Sequence, residues 1–290
     1  MLDIIVNPLA GGKKGKVMKK NLAAAEARLT ERKIPYRLHF TQYEKHAITL
    51  ASELIDAGAT DIIAMGGDGT LNEVLNGLKN FDRIRFGLIP CGTGNDFANA
   101  AKIPTDICKA VDLIIDGEAK FTDFMQLPGL RGINIIGMGI DVEVLERYCN
   151  LKHKNKIGYT KCLLGALTHL KFYNFTARFE DGEQQFHSLL ANVCNGQMYG
   201  GGISICPAAQ IADGNLEFVA ACDIKKSQVP SLLLKLKGGK ILEQPCIRRR
   251  SVQSIEILPE FPMVLNVDGE LYRDIEFKLN IVKDTLKMYR

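Results

Sequence analysis

Tryptophan is absent from the 290 residues, aromatic side chains make up only 7%, and the eight cysteines include no C-x-x-C pair. Without paired cysteines a structural zinc ribbon or finger is excluded, and scattered reduced thiols point to a cytoplasmic protein. No apolar run approaches the roughly eighteen residues of a membrane-spanning helix. The opening Met1-Leu2-Asp3-Ile4-Ile5-Val6 has neither a basic region nor a cleavage site, so no signal peptide is expected. Also missing are internal repeats, low-complexity segments, and any zinc-finger, RNA-binding or basic-zipper signature, so no nucleic-acid partner is expected.

What is present is an ordinary globular composition with 46% hydrophobic and 24% charged residues, enough for one large or two modest domains. The net charge is only +4, yet the basic residues cluster. Lys13, Lys14, Lys16, Lys19 and Lys20 form one group; Lys152, Lys154 and Lys156 a second; Arg248, Arg249 and Arg250 a third. Such runs are solvated faces or anion-binding patches for phosphate or anionic lipid.

The first 125 residues alternate strand and helix. Strands are expected at 4–7, 36–40, 62–65, 85–89 and 121–125, with helices at 16–32, 45–56 and 106–115. This alternation predicts a parallel sheet covered by helices on both faces. The texture then changes. Strands are expected at 133–140, 175–179, 186–193, 216–221, 252–258 and 263–267, with a half-buried strand through Ile275, Phe277 and Leu279. Asp181-Gly182 is a hairpin turn, and helices interrupt near 160–171 and 225–237. The boundary falls at Leu127-Pro128-Gly129, giving an α/β domain over 1–127 and a β-rich domain over 128–278.

Three strand-to-helix loops of the first domain suit phosphate. The first, Asn7-Pro8-Leu9-Ala10-Gly11-Gly12-Lys13-Lys14-Gly15-Lys16, resembles a Walker loop but has Ala10 and Val17 where that loop needs glycine and a hydroxyl. The second, Gly66-Gly67-Asp68-Gly69-Thr70-Leu71-Asn72, follows a buried strand. Thr70 and Glu73 there have capping-box spacing, which aims a helix N-terminus, a natural anion site, at the loop. The third is Gly92-Thr93-Gly94-Asn95-Asp96-Phe97. In an open α/β sheet all three lie on the carboxyl edge, where ligands bind. Asp68, Asp96 and Asp123 each follow or end a strand and are candidates to converge there on magnesium, which favours oxygen ligands beside phosphates; turn and helix-cap roles remain the alternative for Asp96 and Asp123. Thr41 is either a ligand contact or, with Glu44, a helix cap. In the second domain Asp268-Gly269-Glu270 ends a strand as a β-turn, with a carboxylate available as base, and Asp213-Gly214-Asn215 is a turn or a small metal loop.

Taken together, Asn7-Pro8 with Gly11-Gly12, Gly66-Gly67-Asp68-Gly69-Thr70, Gly92 to Phe97, Asp213-Gly214 and Asp268-Gly269-Glu270 resemble the diacylglycerol kinase catalytic-domain family, which includes bacterial soluble lipid kinases and sphingosine and ceramide kinases. The resemblance covers nearly the whole chain. It implies an α/β plus β fold: an NAD-kinase-like nucleotide-binding α/β domain followed by a β-sandwich domain, with 279–290 packing back on the first. It implies ATP contacts from Thr41, Gly66, Gly67, Asp68, Gly69, Thr70, Leu71, Asn72 and Thr93, with Asn7, Gly11 and Gly12 in the first loop. Lys13 or Lys16, and Lys156, match charged residues near the phosphates. Asp68, Asp96 and Asp123 would organise Mg2+, Glu270 with Asp268 would form the base region, and Gln210, Asp213 and Asn215 match a structural magnesium loop that is less acidic here. The implied activity is transfer of the γ-phosphoryl of ATP to a lipid alcohol such as diacylglycerol, with transient peripheral visits to the membrane surface. The basic clusters and the leucines among lysines at 230–240 suit such docking. A β-rich domain with an exposed strand edge is compatible with a homodimer. Two other readings stand beside this one: a kinase of a soluble acceptor such as NAD, because Gly-Gly-Asp-Gly-Thr is shared, and a nucleotide- or lipid-binding protein without catalysis.

Overall fold

The computed structural model describes residues 1–12, 15–151 and 156–290. The chain divides into two compact units, Met1–Asp123 with Lys283–Arg290, and Phe124–Val282.

The first unit runs β1 (Leu2–Val6), α1 (Lys16–Glu31), β2 (Tyr36–Phe40), α2 (His46–Asp56), β3 (Asp61–Gly66), α3 (Asp68–Gly77), β4 (Arg85–Pro90), α4 (Asp96–Ala100), α5 (Ile107–Asp116) and most of β5 (Ala119–Leu127). All six residues of β3 are buried, as a central strand covered on both faces requires. The strands lie in the order β2-β1-β3-β4, all parallel. The registers set their carboxyl ends level: Val6 faces Phe40 and Met65, and Gly66 faces Pro90. A single edge therefore carries every loop that leaves these strands for a helix.

At the opposite edge, neighbouring strands are tied by buried carboxylates. Asp3 on β1 accepts two bonds from Arg37 on β2, at 2.7 and 2.9 Å, and a third contact from His39 at 2.9 Å. Asp61 on β3 accepts from Arg85 at 2.7 Å, Thr60 at 2.9 Å and the Tyr289 hydroxyl at 2.6 Å. Burial alone would lift the Asp61 carboxyl, but these donors outweigh it and hold it below the ordinary range. Tyr289 belongs to the last strand, β15 (Phe277–Tyr289), which begins in the second unit and pairs with β4 at its end, Met288 against Phe86.

The second unit continues through β6 (Leu130–Gly132), β7 (Ile135–Gly139), α6 (Ile140–Cys149), α7 (Lys156–Leu167), β8 (Tyr173–Phe179), β9 (Gly182–Cys194), β10 (Leu216–Cys222), α8 (Val229–Lys237), β11 (Ile247–Val252), β12 (Ser254–Pro259), β13 (Leu265–Val267) and β14 (Glu270–Tyr272). The order is β14-β13-β7-β9-β8-β12-β15, with β10 on β9 and β11 on β10, all antiparallel. Phe175, Phe186 and Phe218 fill one core with rings 5.2–6.5 Å apart. A second core packs α6 and α7 against β9 and β10 through Val144, Ala166, Leu190 and Val219.

Two elements depart from expectation. The apolar run expected to be strand through residue 140 stops at Gly139, whose φ of +106° turns the chain, and α6 begins at Ile140. A Cβ at 139 would meet the Leu189 carbonyl at 2.5 Å. The arginine cluster is strand β11: Arg249 makes a bidentate pair with Glu217 on β10 at 2.6 and 3.0 Å, and Arg250 pairs with Asp181.

Removing one donor from a buried carboxylate costs about 1.5–3 kcal/mol. Tyr289→Phe is therefore expected to lower the urea unfolding free energy by that amount at pH 7, measured by circular dichroism.

Candidate active site

The three glycine loops share the carboxyl edge of the first unit and touch one another through backbone. A Cβ at Gly92 would fall 2.6 Å from the Gly67 Cα, and one at Gly11 would fall 2.9 Å from the Cys91 carbonyl oxygen. Only glycine permits that approach. Side chains complete the joint. Asn7 donates through Nδ2 to the Thr70 hydroxyl at 3.1 Å while its Oδ1 accepts from the Leu9 amide at 3.0 Å. Asn95, in the left-handed region at φ +54°, clamps Gly92, accepting from its amide at 2.9 Å and donating to its carbonyl at 3.1 Å.

Asp68 is the first residue of α3 and bridges to the third loop, its Oδ1 accepting from the Phe97 amide at 3.2 Å. Burial pushes the Asp68 carboxyl up, and the amides of Phe97, Asp96 and Asn95 oppose that shift. Asp96 is buried at the start of α4. A Cβ on Gly94 would sit 3.1 Å from Asp68 Oδ2 and 3.2 Å from Asp96 Oδ2, so the two carboxylates border one small space. Two carboxylate oxygens are what magnesium usually takes from a protein while keeping waters and phosphate oxygens as its other ligands. The donor set fits that ion.

Asp123 does not join them. Among the described residues no three His, Cys, Asp or Glu side chains form a metal-binding group. Asp123 is buried on β5, where its charge acts on the neighbouring Arg290, itself held by Thr122 Oγ1 at 2.8 Å and the Phe121 carbonyl at 2.6 Å. Leu71 and Asn72 are also corrected as ATP contacts. Both are buried, the Leu71 amide already donates to the Gly67 carbonyl at 3.0 Å, and Asn72 receives Asn76. The expected caps do not form either. Helix α3 begins at Asp68 with Gly67 as its cap, so Thr70 is free of a capping role and Glu73 instead accepts from the Ala47 amide at 3.3 Å. Helix α2 is capped by Lys45, not by Thr41, which ends β2 with its amide on the Val6 carbonyl. Thr93, Gly12 and Lys16 stand exposed on the same edge, Lys16 opening α1. Lys13 and the Lys156 side chain lie outside the described residues.

In the second unit the two carboxylates of the β13–β14 turn have different roles. Asp268 Oδ2 accepts from the Ile133 amide at 2.7 Å, and its Oδ1 accepts from Asn134 at 2.9 Å and Ile135 at 3.0 Å. Three backbone donors make this carboxylate an anchor and correct its candidacy as base. Glu270, two residues on, is exposed at the start of β14. Asp213 is tied into its own turn, where its Oδ1 accepts from the Asn215 amide at 2.9 Å and its carbonyl from Asn215 Nδ2 at 3.1 Å. Gln210 and Asp213 are exposed, and this single engaged carboxylate does not fit a metal cage.

Sequence reasoning missed Asp141, hidden behind the apolar run that precedes it. It opens the helix α6 and is 1% exposed, its Oδ2 accepting from Asn266 Nδ2 at 3.1 Å. Burial pushes the Asp141 carboxyl up to about 6, opposed by Asn266 and the Val142 amide. The nearby titratable groups Cys194, Tyr199 and Tyr173 feel its charge.

The arrangement defines a two-unit phosphotransferase, with an anion-binding α/β edge and a β-rich unit carrying an exposed acid on a rigid turn. Residues 2–127 match the diacylglycerol kinase catalytic domain, and residues 134–290 match the YegS C-terminal NAD kinase beta sandwich-like domain. The chain belongs to the diacylglycerol kinase catalytic-domain family, with its α/β plus β-sandwich fold. It is 30% identical over 284 residues to a probable lipid kinase YegS-like of Xanthomonas euvesicatoria pv. vesicatoria, covering 93% of this chain and 91% of that one. It is 28% identical over 271 residues to a diacylglycerol kinase of Staphylococcus saprophyticus, covering 92% and 88%. A crystal structure of a diacylglycerol kinase from Bacillus anthracis has the same fold at a TM-score of 0.73 and 24% identity, covering 99% of this chain and 96% of that one.

Two predictions follow from these carboxylates. Gly94→Ala needs only a few tenths of an ångström of adjustment, but both carboxylates must give. It is expected to leave the melting temperature within a few degrees and to raise the magnesium concentration for half-maximal activity roughly tenfold or more, the scale seen when a ligand's support is disturbed. Asp141 has its folded-state pKa raised, so its contribution favours the fold at low pH and is lost as pH rises from about 4 through about 6. Asp141→Asn is expected to remove that loss and to be about 2 kcal/mol more stable than the parent at pH 8, with no gain at pH 4, by urea titration at the two pH values.

Proposed function

We propose that the protein is an ATP-dependent lipid kinase that transfers the γ-phosphoryl group to the hydroxyl of a lipid alcohol, diacylglycerol or a related lipid. The observation that carries this reading is the three-loop joint, where glycine amides, the N-terminus of α3 and the Asp68–Asp96 pair meet on one edge. A helix N-terminus and exposed amides suit nucleotide phosphates. The names of the relatives support a lipid acceptor.

Asp68 and Asp96 would hold magnesium, which when bound offsets charge on the transferring phosphoryl group. Lys16 adds positive charge from the first turn of α1. Glu270 accepts the proton of the acceptor hydroxyl as that oxygen bonds to the γ-phosphorus. The bond from the γ-phosphorus to the bridging oxygen breaks, and ADP leaves with the electron pair. Asp268 keeps the turn rigid through its three amide donors. Among the described residues no helix is long and apolar enough to cross a membrane. Transient docking is supported by α8, whose Leu234 is 74% exposed between Lys235 and Lys237.

The test is phosphate transfer from γ-labelled ATP to a panel of lipid alcohols in mixed micelles with magnesium. Labelled lipid from the parent is expected, with loss of activity in Asp68→Asn. Label on NAD or a sugar phosphate instead would move the chain to a soluble acceptor, and ATP binding without transfer to anything would mark a silent binding protein. Glu270→Gln is expected to lower kcat by about 10²–10⁴-fold with an unchanged melting temperature, the range for loss of a general base. Asp268→Asn is expected to lose stability as well, since one amide oxygen cannot replace a carboxylate that serves three donors.

A further inference from the structure

The second unit encloses an apolar cavity with about 700 Å³ of empty volume. That lies in the range of small-molecule sites, which are mostly apolar with a few convergent polar groups. Its walls come from α6, α7, α8, β9 and β10, and aliphatic side chains such as Val144, Leu163, Leu190 and Leu236 dominate the lining. Asp141 is the one ionised side chain among the lining residues, with the hydroxyls of Tyr159 and Tyr199 as the other polar groups. Asp141 Oδ1 is buried and has no hydrogen-bond partner among the described residues. An unpartnered carboxyl oxygen in an apolar wall is costly, and a ligand donor would relieve it. The roof helices turn Leu164 and Leu234 outward, exposed by 49% and 74%, so the cover of the cavity is itself suited to a hydrocarbon environment.

The other oxygen of Asp141 leads elsewhere. Oδ2 accepts from Asn266 Nδ2 at 3.1 Å, and Asn266 Oδ1 accepts from the Gly269 amide at 2.9 Å. Gly269 has φ +96° and stands between Asp268 and Glu270. Asn266 is 5% exposed. A buried amide bonded at both ends cannot rotate without breaking both bonds. The cavity wall is thereby connected, through one side chain, to the turn that carries Glu270.

We propose that Asp141 and Asn266 are a positioning pair that couples occupancy of this cavity, by a hydrocarbon chain of the acceptor bearing a hydrogen-bond donor, to the setting of the Glu270 turn. The proposal rests on the lipid-kinase reading for the identity of the acceptor and of Glu270, while the coupling itself is measurable without turnover. A donor on the occupant engages Asp141 Oδ1, Asp141 fixes Asn266, and Asn266 fixes the Gly269 amide. An unfilled cavity leaves that turn with fewer restraints.

The probe is decanamide, which has a chain and an N–H donor but no hydroxyl to phosphorylate. By calorimetry the full-length protein is expected to bind it, and Asp141→Asn about tenfold more weakly, the equivalent of one hydrogen bond. By hydrogen exchange and mass spectrometry, peptides covering 265–272 are expected to exchange more slowly with decanamide bound. Asn266→Ala is expected to bind decanamide as the parent does while losing that protection, and to lower kcat for the lipid acceptor with the KM for ATP unchanged. No binding, binding indifferent to Asp141→Asn, or equal protection in Asn266→Ala would each overturn the proposal. Absence of phosphate transfer to any lipid, with the binding and exchange results as expected, would instead overturn the kinase reading and leave the coupling supported.

Discussion

Backbone touching backbone, between Gly67 and Gly92 and between Gly11 and the Cys91 carbonyl, is the constraint on which the first unit's chemistry depends. A parallel sheet delivers three strand ends at one level, but level ends alone would leave three independent loops. The contact exists because these positions lack a Cβ, and its consequence is that the loops move as one body. Asn7 bonded to Thr70 and Asn95 wrapped around Gly92 then fix the orientation of the amides that face outward. Only after that joint is made do Asp68 and Asp96 come to border the same space at Gly94. Their proximity is a product of backbone packing more than of any attraction between them, since two like charges repel.

The same economy of roles separates the acids of the second unit. A carboxylate that accepts three amides is a strut, and Asp268 is one. A carboxylate on an exposed strand start can exchange a proton with a bound hydroxyl, and Glu270 occupies such a position. These two lie two residues apart on a tight turn, so the strut's rigidity is transmitted to the working group with little intervening chain. Asp268 takes the left-handed conformation, φ +51°, which an aspartate tolerates better than most residues and which aims its carboxylate back at the amides of residues 133–135.

The alternation of strands and helices in the first unit was legible because fully buried strands and amphipathic helices have distinct periodicities, and the three loops were legible because glycine is scarce elsewhere in such elements. The helix starts were not. Glycine at 67 lets α3 begin at Asp68, so the Thr70–Glu73 spacing that reads as a cap is interior helix, and the side chains find tertiary partners instead. The metal acids were legible in type but not in number, because Asp123 shares its strand-end pattern with the others while the fold gives it Arg290 as a neighbour. In the second unit the helix α6 was invisible: residues 133–140 are continuously apolar, and the break at Gly139 depends on a close approach to Leu189 that no local pattern records. That break also concealed Asp141.

Asp141 shows why concealment of this kind tends to mark function. A buried carboxyl with one oxygen unpartnered and its acidity weakened to about 6 opposes folding at neutral pH, and an apolar residue would pack there without that opposition. Groups that weaken a fold persist where they do something the fold does not need. Here the weakening is confined to one wall of an otherwise aliphatic cavity, and the same side chain is bonded to the residue that holds the Gly269 amide. A purely structural polar group would be expected to satisfy both its oxygens within the protein. One satisfied and one unsatisfied oxygen is instead the configuration of a group that joins the protein on one side and a ligand on the other.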